Sequence, residues 1–437
     1  MRPSTQYGTN TFAGMSKISQ KGCLPMEHVS KSLRLQIGIF GRTNVGKSSF
    51  LNMITSQDVS IVSPQPGTTT DVVEKAMEFL PVGPVVFLDT AGIDDDSQLS
   101  TDRFRRTAAI FGRADVFVVL TEEGCWGAYE AKLADEARER QVPLVVVVNK
   151  TDVHGMTGEF HERLNCVTPY VMDCSCAGGI SCTSRDAVAD AFKGLLTRCI
   201  DSNPVQQRAL IGDLLPPNGL AILVVPIDTG APRGRLILPQ VQTIREVLDG
   251  NGVVMAVKES EYKTAMTVLN KRPDLVICDS QSVTKVAAET PPEIPLTTFS
   301  VLFARFKGDL ARFARGTDAI GTLKAGDKVL ISEACTHHAG PDDIGRVKIP
   351  NMLREHTGLG DKIQIDIRCG RDYPNNLGDY ALIIHCGACM LTQREMASRI
   401  NGADNKNVPI TNYGMAISYF QGVLNRVIAL FGPETQE

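Results

Sequence analysis

Gly41-Arg42-Thr43-Asn44-Val45-Gly46-Lys47-Ser48 follows a strand-like apolar run, Leu35 to Phe40, and leads into a helix from Ser49. The spacing is Gly-x4-Gly-Lys-Ser, in the strand-before, helix-after context that a phosphate-binding loop requires. Gly41 and Gly46 let the backbone N–H groups around Asn44 and Val45 curl about phosphate oxygens. Lys47 supplies a point charge to the β- and γ-phosphates, and Ser48 offers a hydroxyl to Mg²⁺. The helix opening at Ser49 aims its positive end at the same anion. The fold class that follows is α/β: a doubly wound P-loop sheet whose strands carry the site at their carboxyl ends.

The segments downstream extend this reading. Val85 to Leu88 is a buried strand ending in Asp89-Thr90-Ala91-Gly92. Asp89 is placed to hold Mg²⁺ through water, and Gly92 to offer its N–H to the γ-phosphate. Between loop and strand, Pro66-Gly67-Thr68-Thr69-Thr70-Asp71 has the polar character of a switch, with Thr69 completing the Mg²⁺ shell. Val116 to Leu120 and Leu144 to Val148 are further strands, the second ending in Asn149-Lys150-Thr151-Asp152. A carboxylate at Asp152 accepts from N1–H and N2–H₂ of guanine. Adenine would leave that charge unpaired, which is the physical basis of base choice. Val171 to Cys174 precedes Ser175-Cys176-Ala177, where a backbone N–H can meet the guanine O6. The expected cofactors of this part are GTP and Mg²⁺.

These motifs resemble the translation-factor class of small GTPases, in the branch that includes Era and the bacterial tRNA-modifying GTPase. The resemblance implies that Ile93, after the Asp89–Gly92 motif, replaces the water-orienting Gln of Ras-like enzymes. It also implies that Asn44 helps bind a K⁺ ion in place of an arginine finger. On the residues alone, Asn44 reads equally as a loop-stabilising side chain. Turnover without a finger is expected to be slow.

Length and composition frame the rest. At roughly 150 residues per domain, 437 residues suggest about three domains. A net charge of −4 and a pI near 6.0 give no global field toward nucleic acid or anionic lipid. No apolar run approaches the roughly 18 residues of a membrane span. Neither nucleic acid nor a membrane is therefore expected as a partner, and a cytoplasmic setting is. Twelve cysteines without a secretory signal read as core or metal-binding thiols, not a disulfide framework. The expected organisation is a disordered tail over 1–32, a GTPase domain over 33–200, a small α/β dimerisation domain over 205–290 and a C-terminal α/β domain over 295–437. The tail, with Arg2, Lys17 and Lys21 but no clear amphipathic period, reads better as a disordered segment than as a targeting peptide. In the middle domain Arg233 and Arg235 read as solvated loop charges.

In the C-terminal part, Thr298-Phe299-Ser300 opens a helical pattern with Ser300 as a candidate N-cap. Leu302, Phe303, Phe306, Leu310 and Phe313 recur at helical spacing as a core face. Strands over Lys328–Ser332, Ile363–Ile367 and Tyr380–Ile384 each end beside thiols or imidazoles. Cys335-Thr336-His337 and His385-Cys386-Gly387-Ala388-Cys389 are separated by residues 338–384. Cys386 and Cys389 have the spacing of two thiolates on one metal or one cluster face, and Cys335 makes a third. Three Cys suit a four-iron cluster with one position open or filled weakly by His337 or His385. The same ligand types also suit a Cys₃His zinc site.

The domain order and this cysteine pattern resemble the [FeFe]-hydrogenase maturation GTPase family, HydF. Gly230–Gln240 and Leu302–Leu310 carry further parts of the resemblance. It implies that the middle module forms a homodimer and that Cys335, Cys386 and Cys389 bind a [4Fe–4S] cluster, with His337 and His385 near the open iron. Cys369 lies outside the pattern. It further implies a scaffold that carries a two-iron precursor, supplied by radical-SAM maturases and passed to apo-[FeFe]-hydrogenase. Two other readings stand beside it. One is an Era-like GTPase with structural zinc in RNA or ribosome maturation, against which the acidic balance counts. The other is a GTP-gated redox sensor.

Overall fold

The computed structural model describes residues 33–55, 73–89, 110–176, 185–202, 208–227, 234, 236–335, 343–370, 373–374 and 376–432. The tail expected over 1–32 lies outside them, as do Thr69, Gly92, Ile93, Arg233, Arg235 and His337.

Six strands form the first sheet: β1 (Leu35–Gly41), β2 (Val73–Phe79), β3 (Gly83–Asp89), β4 (Val116–Glu122), β5 (Leu144–Asn149) and β6 (Val171–Asp173). Their spatial order is β2-β3-β1-β4-β5-β6, parallel throughout except for β2 on β3. The valine-rich runs of β4 and β5 are buried on both faces, as strands between two helical layers must be. One face packs on α1 (Lys47–Thr55) and α3 (Arg185–Ser202), where Phe50 and Phe192 meet edge to face at 5.2 Å. The other packs on α2 (Ala128–Glu139) through Leu133, Ala134 and Ala137. Strand β2 carries the charges Glu74, Lys75 and Glu78, which a sheet tolerates at its edge.

The second sheet holds β7 (Leu220–Val224), β8 (Val253–Val257), β9 (Leu275–Cys278) and β10 (Leu296–Thr298), in the parallel order β10-β9-β7-β8, beside α4 (Leu238–Asp249). Leu296 pairs with Val276, so this sheet extends past residue 295 and includes a strand assigned by sequence to the next domain.

The third sheet is also parallel: β11 (Lys328–Glu333), β12 (Gln364–Cys369), β13 (Leu382–His385) and β14 (Ile410–Asn412), ordered β12-β11-β13-β14. The second and third sheets share one hydrophobic cluster, which joins Ile222, Val276 and Leu296 to Leu330, Ile383 and Met396. The apolar repeat after Thr298 is not one helix. It divides into α5 (Phe299–Lys307) and α6 (Leu310–Gly316), because the Asp309 side chain accepts from Arg312 N at 3.0 Å and starts a new helix. The N-cap of α5 is Thr298, whose hydroxyl accepts from Val301 N at 3.2 Å, and not Ser300. Helices α7 (Gln393–Asp404) and α8 (Tyr413–Phe420) complete the parts that bear on function.

Candidate functional sites: a phosphate loop and a cysteine-lined strand edge

The phosphate loop turns at the carboxyl end of β1. Gly41 and Gly46 have φ of 151° and 92°. A Cβ on Gly41 would lie 2.6 Å from the Leu120 carbonyl, and one on Gly46 would strike Asn149 Nδ2. Asn44 has φ 63°, a left-handed conformation that Asn tolerates better than most residues. Lys47 is buried and its Nζ donates to the carbonyls of Gly41 at 2.9 Å and Arg42 at 2.7 Å. Phe50 N donates to Gly46 O at 2.8 Å, closing the first helical turn.

Asp89, Ser48 and Lys47 meet at this loop. Burial raises the Asp89 pKa, while Lys47, Lys75 and a hydrogen bond from Ser48 pull it down. Asp89 Oδ1 is buried without a hydrogen-bond partner among the described residues. An orphaned carboxylate oxygen beside a serine hydroxyl fits a Mg²⁺ site.

Asn149 ties the base side to the phosphate side. Its Nδ2 donates to Val45 O at 2.8 Å, and its Oδ1 accepts from Cys176 N at 3.1 Å. Lys150, at φ 62°, pairs with Glu122 at 2.6 Å, and Asp152 is exposed at the start of the next helix. Ser175 stands between Cys174 and Cys176 on the same loop. Sequence reasoning missed the strut behind the loop. Arg42 makes a two-pronged contact with buried Glu130, at 2.7 and 3.0 Å, and Glu130 also accepts from Gly127 N at 2.9 Å. Only tertiary structure could reveal it, since 88 residues separate the partners.

At the third sheet, Cys335 follows β11, Cys369 ends β12, and Cys386 and Cys389 follow β13. Parallel pairing of β11 with β12 and β13 brings all four thiols to one edge. Burial pushes the Cys335 and Cys386 thiols up to about 11 and raises Cys389 as well. Negative charge at Cys386 adds to the rise at Cys335, charge at Cys335 to that at Cys389, and charge at Cys389 to that at Cys386. Ala334 N donates to Cys386 Sγ at 3.1 Å. The Tyr413 hydroxyl is buried without a hydrogen-bond partner among the described residues, and its pKa is raised by burial and then by Cys386, Glu333, Asp343 and Cys335. Thiols along one strand edge, an N–H···S bond and an orphaned hydroxyl are chemically suited to an iron–sulfur group, whose sulfurs accept such donors. Among the described residues no three or more His, Cys, Asp or Glu side chains are gathered closely enough to hold a metal ion.

His385 ends β13, beside Cys386. It is fully buried, its Nε2 lies 2.9 Å from Arg399 and its Nδ1 lies 2.8 Å from Cys386 O. Burial first, and the Arg399 charge second, hold its pKa down to about 3. With Arg399 donating to Nε2, the neutral ring donates from Nδ1, and both nitrogens are engaged within the protein. Arg399 also donates to Ser332 Oγ at 3.1 Å and Gly370 O at 2.8 Å, bracing the cysteine loops from beneath. Cys369 donates to Glu333 at 3.1 Å and accepts from Arg346 at 3.0 Å.

The two sites are joined through α7. Arg113 pairs with Glu74 of β2 at 2.7 Å and with Glu395 of α7 at 3.2 Å. Arg394 pairs with Asp115 at 3.4 Å and donates to the Arg140 and Gln141 carbonyls, each at 3.3 Å. Glu395 caps α7 through Thr392 N at 3.0 Å. Lys307, 3% exposed, donates to Leu391 O at 2.9 Å between that cap and Cys389. Burial lowers the Lys307 pKa to about 8, against the nearby Cys389, Glu395 and Asp115.

This is a P-loop GTPase domain, of the class that binds GTP with Mg²⁺, followed by two further α/β units. Residues 36–150 match the family described as 50S ribosome-binding GTPase. Residues 210–308 match the hydrogen maturase F dimerization domain, and residues 311–430 the hydrogen maturase F tetramerization domain. With both maturase domains in order behind a GTPase domain, the chain belongs to the hydrogen maturase F family.

Relatives of the first domain include the tRNA modification GTPase MnmE of Synechococcus sp. (strain JA-2-3B'a(2-13)), 43% identical over 124 residues, covering 27% of this chain and 26% of that one. GTPase Der of Deinococcus deserti is 39% identical over 129 residues, covering 29% of each. The chain thus spans little more than a quarter of the length of these relatives. Among solved structures, Era in complex with MgGDPNP and nucleotides 1506-1542 of 16S ribosomal RNA aligns at 23% identity and a TM-score of 0.30, over 38% of this chain and 57% of that one. Among the described residues no helix is long and apolar enough to cross a membrane.

Proposed function

We propose that this chain is a GTP-hydrolysing scaffold that carries a two-iron precursor for [FeFe]-hydrogenase maturation. The reading is supported by the placement of Cys335, Cys386 and Cys389 just past the carboxyl ends of the paired strands β11 and β13, in a chain with both maturase domains. The three thiolates hold a [4Fe–4S] cluster, and when bound it supplies a thiolate-held iron with one coordination position left for a further ligand. Ala334 N steadies the Cys386 sulfur, and Lys307 sets a buried positive charge behind Cys389.

In the first domain, Gly41, Asn44, Val45, Gly46, Lys47, Ser48 and Ser49 cradle the phosphates. Ser48 and Asp89 hold Mg²⁺, with Thr69, and Gly92 meets the γ-phosphate. Asn149, Lys150, Asp152, Ser175 and Cys176 frame the guanine. Hydrolysis is slow and K⁺-stimulated, with a K⁺ ion held by Asn44 in place of an arginine finger. Loss of the γ-phosphate releases the switch around Thr69, and strand β2, which follows it, carries Glu74 to Arg113 and α7.

A homodimer forms through the second sheet. Leu236, Val241, Leu248 and Val253 are exposed there, and β8 is an edge strand. The partners are radical-SAM maturases and apo-[FeFe]-hydrogenase, in a cytoplasmic setting.

The test is transfer. The full chain, purified without oxygen after co-expression with the two maturases, is mixed with apo-hydrogenase, and hydrogen evolution is followed. The reading expects activation, lost in Cys386→Ala. A chain that never activates the apo-enzyme removes the carrier role.

A further inference from the structure

Two thiols beside the guanine loop have no part in hydrolysis. Cys174 follows β6 directly, and Cys176 lies two residues on in the same loop. Their sulfurs are 3.9 Å apart, and no disulfide joins them. Cys174 is 3% exposed, whereas Cys176 is partly open to solvent.

The pair is wired into the nucleotide site through Asn149. Its Oδ1 receives Cys176 N at 3.1 Å and the Cys174 thiol at 3.6 Å, while its Nδ2 holds the phosphate loop at Val45. The Cys174 carbonyl accepts from Thr151 N at 3.3 Å and Thr151 Oγ1 at 3.1 Å, next to Asp152. A change at the two sulfurs therefore reaches both the base-reading and phosphate-binding segments.

We propose that Cys174 and Cys176 are a redox modification site, closing to a disulfide with hydrogen peroxide and thereby weakening guanine-nucleotide binding. The inference rests on residues 174–176 bordering the guanine. Cys176 is the more exposed of the two sulfurs, and its contact with Cys174 acidifies it against burial and the Asp152 charge, so its thiolate is the nucleophile. It attacks one peroxide oxygen, the O–O bond breaks, and the departing hydroxide takes up the thiol proton as water. Cys176 is left as a sulfenic acid. Cys174 sulfur then attacks Cys176 sulfur, the S–O bond breaks, and the hydroxyl leaves with the Cys174 proton as a second water. Two thiols lose two electrons and two protons, and one peroxide becomes two waters. Closure draws the sulfurs to about 2.05 Å and ends the Cys174 thiol's contact with Asn149. A ring over a single intervening residue is strained, which places it among the readily reduced, regulatory disulfides.

The experiment uses the full-length chain, reduced and then treated with peroxide. Peptide mapping looks for a 174–176 crosslink, and a fluorescent GDP analogue reports affinity. The inference predicts the crosslink and roughly tenfold weaker binding, both reversed by dithiothreitol. In Cys174→Ser and Cys174→Ala, each compared with its own reduced form, peroxide should leave affinity unchanged. Crosslinking without loss of affinity, or loss of affinity that persists in both variants, would overturn it. A reduced protein that binds no guanine nucleotide would remove the site reading and the inference together.

Discussion

Arg113 and Glu395 form an ion pair at 3.2 Å, with their side chains 8% and 10% exposed, across the junction of the GTPase domain and the cysteine-bearing domain. Arg113 also holds Glu74, on the strand that follows the proposed switch segment, and Glu395 caps the helix that follows Cys389. One guanidinium thus touches elements leading to both sites. Arg113→Met would leave two half-buried carboxylates without their cation, at a cost of about 3 kcal/mol. Glu395→Gln keeps an oxygen for the cap and removes only the charge, so its effect should be smaller. Denaturant unfolding of the two single variants and the double variant should give a coupling energy of about 1–3 kcal/mol. Strictly additive effects would mean that the pair contributes nothing.

Asp115 gives the junction a pH dependence. Burial raises its carboxyl from 3.8 to about 6, while Gln36 N–H, Arg394 and Lys307 pull it down and Glu395 pushes it up. Between those values the folded chain holds a proton that the unfolded chain has lost. The contribution is therefore full below pH 3.8 and disappears as pH rises through 6. Melting curves of the native chain and Asp115→Asn should draw apart in that sense between pH 4 and 7. Parallel curves would show that Asp115 does not titrate differently on folding.

Much of this was legible in the sequence, and the exceptions have physical causes. The phosphate loop, the β5 motif and the cysteine pairs announce themselves because their chemistry needs fixed local spacing. Strand β2 does not, since Glu74, Lys75 and Glu78 make an edge strand that lacks an apolar run. The break between α5 and α6 hid behind a continuous helical repeat, because Gly308 and Asp309 fall where the periodicity leaves no apolar residue to misplace. The contact of His385 Nε2 with Arg399, 14 residues away, was not readable, because it depends on how α7 packs against β13. Likewise Arg42–Glu130 and Arg113–Glu395 are tertiary pairings that carry no sequence signature.

Asn44 offers a separation of backbone from side chain. Its φ of 63° is one that glycine adopts freely. Asn44→Gly should keep the loop and its nucleotide affinity while abolishing the rate advantage of K⁺ over Na⁺. An unchanged K⁺ to Na⁺ ratio would remove Asn44 from cation binding.

Asp152, the proposed acceptor for guanine, is exposed in the short helix Thr151–His154. Asp152→Asn replaces an acceptor with a mixed donor and acceptor. Affinity for GTP should fall about a hundredfold while that for xanthosine triphosphate rises. Equilibrium binding of both nucleotides checks this, and an unaltered preference for guanine would place base recognition elsewhere.

The central claim is that Cys335, Cys386 and Cys389 hold an iron–sulfur cluster in the same chain as the GTPase. The direct measurement is iron, sulfide and zinc analysis of the anaerobically purified chain, with EPR of the reduced protein. About four iron and four sulfide per chain, with a reduced-cluster signal lost in Cys386→Ala, is the predicted result. Stoichiometric zinc without iron, or iron unchanged by that substitution, would contradict it.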